Sequence, residues 1–337
     1  MIFKDKKKII IIDNSDLSYT GEDIDGKKLR GTETSLILLS ETFVKRGYRV
    51  DYSNSITNEK IFNGVTYFNK NRIVKNYIYD LAIVISDANE FRRVKSIKKA
   101  VFSVSNQPIE KFIRKKQLFP FLKYKPTVIT LCDYQFKKRS FFTSFYGKKT
   151  IPITIDPKFL DIPINQNYLP KKNIVYNIRS NRNLDKLIDI WCDKIHPVST
   201  DFKFFITPNL IEYNDKLRSK NIFLRNITTR SEMIDELKNY RALAYLGHKS
   251  DIFTLTAEEA IKLCLPVVTF GIGSLSERVI HNQTGFIAKN DQEFAEFTIK
   301  LLRDDNFYLD LKKKMFTKRR NNSWNSIVDE WINYFFK

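Results

Sequence analysis

Cysteine is scarce in this chain of 337 residues: Cys132, Cys192 and Cys264 lie far apart, are odd in number and form no Cys-x-x-Cys pair. That spacing argues against a disulfide framework, and with no histidine cluster nearby it argues against a zinc site as well. A reducing cytoplasm is the expected compartment. Histidine is equally rare, with three residues in all, which leaves little for chemistry that gathers several acid–base groups in one place. No apolar run approaches the ~18 residues that a membrane-spanning helix needs, and no recognised nucleic-acid motif is present. Lysines 4, 6, 7 and 8 precede only Ile9 to Ile12 before Asp13, a pattern expected of a buried strand rather than a signal peptide.

Acids are in deficit too. There are 58 Lys and Arg against 38 Asp and Glu, a formal charge of +20. Such an excess suits nucleic acid or an anionic membrane, although abundant lysine, asparagine and isoleucine also follow from an AT-rich genome. The excess is concentrated: residues 91–149 hold 16 basic side chains against only Glu110 and Asp133. From Phe112 to Phe142 aromatic rings interleave with these bases. Bases beside exposed rings fit a membrane interface, and would also fit single-stranded nucleic acid. A pair of ordinary amphipathic helices with solvated lysines is the plain alternative.

What is present describes an α/β protein. Hydrophobic residues make up 42% of a chain whose length is comfortable for two domains. Ile9 to Ile12 reads as a first strand, followed after a long loop by a helix with Leu36, Leu39 and Phe43 on one face, ending at Arg46-Gly47. Further strands are expected from Val50, at Leu81 to Ile85, Ala100 to Val104 and Thr127 to Leu131. The alternation implies a parallel sheet covered on both faces. Arg30-Gly31-Thr32-Glu33 opens the first helix, and its glycine would let the backbone approach a ligand. Asn165 to Lys172 reads as a linker. After it come strands at Ile174 to Ile178, Phe202 to Ile206, Ile222 to Leu224 and Ala242 to Leu246. A helix with Leu184, Leu187, Ile188 and Trp191 in one stripe follows the first of these, and Ser231 to Tyr240 is a second helix. The last helix, Asn325 to Phe336, carries Ile327, Val328, Trp331 and Phe335 in one stripe beside Trp324, and must be buried.

The stretch from Ser250 to Glu277 organises the second half. A loop, a helix and a buried strand opened by Pro266 follow one another, with Asp251 in the approach and Glu259 one turn into the helix. Helix N-termini suit phosphates and carboxylates suit hydroxyls, which together describe a nucleotide-sugar. Thr256-Ala257-Glu258-Glu259 also fits a capping box, in which Glu259 only satisfies a backbone donor. In the turn Arg179-Ser180-Asn181-Arg182-Asn183, two arginines stand where a diphosphate could be held bidentately. Gly271-Ile272-Gly273-Ser274 is a second glycine loop before a helix.

Asp251, Glu259-Ala260 and Leu265-Pro266-Val267-Val268 resemble the signature of retaining GT-B glycosyltransferases of the glycogen-synthase-like superfamily (family 4-like, group 1), in which two glutamates are separated by seven residues. Asp251 replaces the first. Gly31 through Arg46-Gly47-Tyr48-Arg49-Val50 and Ile151 to Pro157 resemble the family's opening and domain-closing segments, with Tyr48 for the usual histidine. The resemblance implies two Rossmann-like domains facing a cleft: residues 1–164 for the acceptor, 165–320 for the donor, and 321–337 as a helix packing back on the first domain. It implies catalytic roles for Arg179, Arg182 and Asp251, and donor binding by Glu259, Phe253, Thr254, Leu255, Gly271 and Gly273. It also implies an acceptor or phosphate loop at Gly31, Thr32 and Glu33. Asn183 stands where glycine is usual. A histidine that many members place near the sugar has no match; Asn106 sits in that region.

The expectation is therefore a cytoplasmic transferase that moves a sugar from a nucleotide-sugar to a glycan, lipid-linked or other small acceptor, with retention. It would use neither metal nor cofactor and would not bind nucleic acid, with an anionic membrane met through residues 91–149. A nucleotide-sugar epimerase of the same architecture, or an inactive sugar-nucleotide binding protein, are the alternatives.

Overall fold

The computed structural model describes residues 6–26, 29–72, 74–178, 181–208, 210–226, 229–319 and 323–337. It divides into two compact units, Met1–Thr154 with Asn322–Lys337, and Ile155–Asn321.

The first unit is built on eight strands: β1 (Lys8–Ile12), β2 (Arg49–Asn54), β3 (Lys60–Phe62), β4 (Val65–Asn69), β5 (Val74–Ile85), β6 (Val94–Phe102), β7 (Thr127–Thr130) and β8 (Lys148–Thr150). Their order is β3-β4-β2-β1-β5-β6-β7-β8. All neighbours are parallel except β3 and β4, a hairpin turned by Asn63-Gly64, both with positive φ, as tight hairpin turns require. Ile9 to Ile12 are buried on both faces because helices cover the sheet on either side. The helix Gly31–Lys45 presents Leu36, Leu39 and Phe43 inward as its stripe dictates. The helix Trp324–Phe336 belongs to this unit: Trp331 packs edge-on to Phe102 and Phe43, at 5.4 and 6.4 Å between ring centres, and Asp329 pairs with Arg46 at 2.6 Å.

The second unit holds β9 (Asn173–Tyr176), β10 (Lys203–Ile206), β11 (Ile222–Leu224), β12 (Ala242–Ala244), β13 (Val267–Thr269) and β14 (Gly285–Ile287) in the order β11-β10-β9-β12-β13-β14, all parallel. Counted from β9, that is the doubly wound order 3-2-1-4-5-6. Its direction reverses between β9 and β12, and the carboxyl ends of the strands there are where such sheets take ligands.

The domain boundary, expected after residue 164, falls at Thr154/Ile155. Ile155 and Phe159 are buried in the second unit's core, and the Arg319 guanidinium donates to the carbonyls of Phe159 and Ile162 at 2.6 and 2.7 Å. Packing thus claims ten residues that the sequence reading assigned to the other side.

Candidate functional site

Three loops of the second unit meet at the carboxyl ends of β9, β12 and β13. The turn after β9 brings in Arg182, whose N–H donates to the Tyr176 hydroxyl at 3.2 Å. Asn183 follows with φ +61 and donates its side-chain amide to the Gly247 carbonyl at 2.6 Å. A left-handed backbone is one that asparagine tolerates better than most residues, so the residue that replaces the usual glycine still allows the turn. Asn181 Oδ1 accepts from Leu184 N at 3.2 Å and starts the helix Leu184–Ile190. Arg179 lies outside the described residues.

Asp251 is the hub of the second loop. Its carboxylate takes an ion pair from Arg182, a hydrogen bond from the Tyr245 hydroxyl, and a third from His248 N at 3.1 Å. Its main chain is fixed by Asp251 N to the His248 carbonyl and Ser274 N to the Asp251 carbonyl, both 2.9 Å. Burial, then the neighbouring Asp251 charge, holds the Tyr245 hydroxyl far above its ordinary range, and burial pushes Tyr176 up to about 12. Both phenols stay protonated, so Tyr245 donates to Asp251 at all ordinary pH. Arg182 and Asp251, read from sequence as separate contacts for diphosphate and sugar, are joined in the free chain. His248 is an internal link, accepting from Ser250 N at 3.1 Å.

The glycine loop closes the site from β13. Gly273 has φ +75, and a Cβ there would come within 2.5 Å of the His248 carbonyl and 2.9 Å of that of Asp251. No side chain fits. Gly271, φ +67, donates its N–H to Thr269 Oγ1 at 3.0 Å, so this group holds the loop itself.

The helix Leu255–Lys262 begins with Thr254 as its cap, without a side-chain cap bond; Thr254 and Ser274 share a hydroxyl contact of 3.0 Å instead. The capping-box alternative for Glu259 is thereby overturned, since the helix starts too early for that residue to reach its end. Glu259 is buried, and its Oε1 lies 3.5 Å from Arg230 Nη2. Arg230 Nε is 3.2 Å from Asp156 Oδ2, and the guanidinium lies over the Phe159 ring. Sequence reading missed Arg230, which no spacing links to Glu259. Thr229 and Glu232 form a capping box that fixes where its helix, Arg230–Leu237, begins. Phe253 carries the Arg278 guanidinium 3.7 Å above its ring centre, and Leu255 packs against the core.

Gly31, Thr32 and Glu33 lie in the first unit, at the start of Gly31–Lys45. Glu33 is buried and its Oε2 has no hydrogen-bond partner among the described residues. After β1, Asp13 accepts from Tyr19 at 2.6 Å, and Tyr19 contacts Tyr52 at 2.5 Å. Asn106 lines a cavity of about 460 Å³ with Gln107, Gln135, Lys138 and Arg139.

Comparison with known proteins follows this geometry. Residues 211–318 match the family model described as "Glycosyl transferases group 1". A search of curated sequences finds no significant match. Among solved structures, a sucrose-phosphate synthase from Thermosynechococcus elongatus is similar at 12% identity, TM-score 0.71, covering 98% of each chain. A glycosyltransferase from Rickettsia africae aligns at 12% identity and TM-score 0.68, again over 98% of each chain. The Anabaena protein HepE, solved with UDP-glucose, aligns at 13% identity and TM-score 0.66 over 97% of this chain and 99% of its own.

Proposed function

From a chain of GT-B fold whose residues 211–318 match the group 1 glycosyl transferases, we infer a glycosyltransferase that takes a nucleotide-sugar in its second unit. The observation that carries this reading is the convergence of Arg182, Asp251, Gly273 and the Glu259 helix on the strand ends of β9, β12 and β13. Arg182, released from Asp251, meets the diphosphate; Asp251 then accepts a sugar hydroxyl, and Glu259 the ribose hydroxyls. Arg179 is proposed as the second diphosphate cation. The C1–oxygen bond to the diphosphate breaks with its electron pair leaving on the diphosphate. The acceptor oxygen bonds to C1 on the same face, with retention, and its proton passes to the departing phosphate. Cationic side chains aimed at the growing charge lower the barrier without a metal.

The acceptor is a glycan or a lipid-linked sugar, met by the first unit around Gly31, Thr32 and Glu33 at an anionic membrane surface on the cytoplasmic side. Among the described residues no helix is long and apolar enough to cross a membrane, so attachment would be peripheral. HepE was solved with UDP-glucose, which makes UDP-sugars the first donors to try. The test is a thermal-shift screen over UDP-, GDP- and ADP-sugars, followed by mass spectrometry of the products. A stabilising donor that is hydrolysed or transferred supports the reading. No shift with any of them overturns it, interconverted free nucleotide-sugar returns the epimerase alternative, and binding without turnover leaves a binding protein.

A further inference from the structure

Large apolar side chains on a folded surface normally stand singly, and a cluster of them marks a contact site. The first unit has such a cluster on three neighbouring elements. Ile113 projects from the helix Ile109–Arg114, Leu118, Phe119 and Leu122 from the helix Leu118–Tyr124, and Phe141 and Phe142 from a single turn, Phe141–Thr143. All six are at least half exposed, Phe119, Phe141 and Phe142 at 70, 70 and 71%. The elements adjoin one another: Phe112 and Phe121 meet edge-to-face at 5.0 Å beneath the two helices, and the turn packs on the first helix. Phe121 and Pro120 already fill the inward side of the second helix. Leu118, Phe119 and Leu122 therefore make it apolar on its outer side as well, and a helix apolar all round has a second face to cover.

The rim of this ridge is cationic. Arg114 ends the first helix and Lys115 and Lys116 follow it, Lys123 and Lys125 close the second, and Lys137 and Lys138 stand ahead of the turn, all exposed. Lys115 has Asp87 3.4 Å away, which leaves the rim strongly positive. That charge repels a second copy of the same chain. It also matches nucleic acid, on which Phe119, Phe141 and Phe142 could stack, but the aliphatic Ile113, Leu118 and Leu122 beside them would meet no apolar partner there. An anionic bilayer meets both features at once, phosphates outside and acyl chains beneath.

We propose that this ridge docks the first unit on an anionic lipid bilayer, with Phe119, Phe141 and Phe142 entering the headgroup–acyl boundary and the surrounding bases meeting lipid phosphates. The assignment deepens the membrane part of the transferase reading and rests on it for its purpose, which is to bring the active unit to a lipid-linked acceptor. It narrows the contact from residues 91–149 to this ridge and its rim. Phe91, Phe102, Arg93 and Arg139 of that span are buried and take no part.

The test is co-sedimentation of the full chain with vesicles of phosphatidylcholine alone and with about one third phosphatidylglycerol, at low and moderate salt. Binding is expected to the mixed vesicles and not to the neutral ones. Changing Phe119, Phe141 and Phe142 together to serine should weaken it at least about tenfold. Changing Lys115, Lys116, Lys137 and Lys138 to glutamine should weaken it several hundredfold, at roughly fivefold for each of the four bases. Both variants change exposed side chains and should melt as the parent does. Equal binding to both vesicles, full binding by the serine variant, or self-association through these rings with no vesicle binding would each overturn the proposal. Nucleotide-sugar thermal shifts on the same preparations keep the two readings apart. Vesicle binding without donor binding removes the transferase and leaves the docking, while donor binding without vesicle binding does the reverse.

Discussion

Glu259 and Arg230 come from two helices well apart in the chain, and one guanidinium serves both Glu259 and Asp156. The two carboxylates therefore separate a binding role from a folding one. Glu259→Gln should weaken nucleotide affinity about ten- to a hundredfold, ~1.5–3 kcal/mol, with the melting temperature little changed because Arg230 keeps Asp156. Arg230→Ala should instead destabilise the second unit by about 3 kcal/mol, since it leaves two buried acids without their cation. Calorimetric titration and thermal melting of both variants check this; a Glu259→Gln chain that melts early yet binds nucleotide normally would make that carboxylate structural. The tyrosines give a pH signature. Tyr245 and Tyr176 have folded pKa values above the ordinary 10. The folded chain thus holds protons there that the unfolded chain gives up, and their contribution to stability is complete below pH 10. It declines as pH rises from 10 toward about 12 for Tyr176. Denaturant midpoints across that window should fall, and phenolate absorbance should show these two tyrosines titrating late. Asp251 and Glu259 were legible as an acid pair at fixed spacing. Arg182 was read as a diphosphate contact, but its pairing with Asp251 and the whole of Arg230 were not legible, because both are set by which loops the sheet order brings together.

Among elements, the sequence shows most clearly what is buried on both faces. Ile9 to Ile12 in β1 and the inward stripe of Gly31–Lys45 follow from hydrophobic pattern alone. The outer half of β6 was illegible for the opposite reason: Lys95, Ile97 and Lys98 are exposed, where no core writes a pattern. The hairpin of β3 and β4 went unread although Asn63-Gly64 is its turn signal. The Gly271–Ser274 loop looked like weak evidence in sequence and is tightly specified in space. Gly273→Ala should cost about 1–3 kcal/mol from backbone strain alone. It should also lower donor turnover, because the new methyl would push on the carbonyls that hold Asp251. Melting and product formation measured together test this, and turnover unaffected at a reduced melting temperature would detach the loop from the site.

For the whole molecule, a count of charges overstates what faces outward. Arg93 is buried against Glu90 at 2.8 Å, and Arg139, its pKa drawn down to about 10 by burial, donates to Ser103 and to the Thr143 carbonyl. Arg241 bonds the Leu302 carbonyl and Asp305 inside the second unit. Sequence cannot tell such interior cations from surface ones, which is why residues 91–149 looked uniformly basic. The two units are nearly equal in size, but only the first is made of two separate stretches of chain. Trp331→Ala should remove about 3–5 kcal/mol, felt as faster amide exchange in β1, β5 and β6 while β9, β12 and β13 keep their protection. Uniform loss across both sheets would contradict this. The packing of Trp331 on Phe43 and Phe102 bears on how the protein is made. The partners that residues 155–321 find within their own unit are all present once Asn321 is synthesised, whereas the first unit lacks its closing helix until 322–337 follow. The half of the sequence translated first is completed last, and until then Phe43 and Phe102 lack their cover and are open to chaperones.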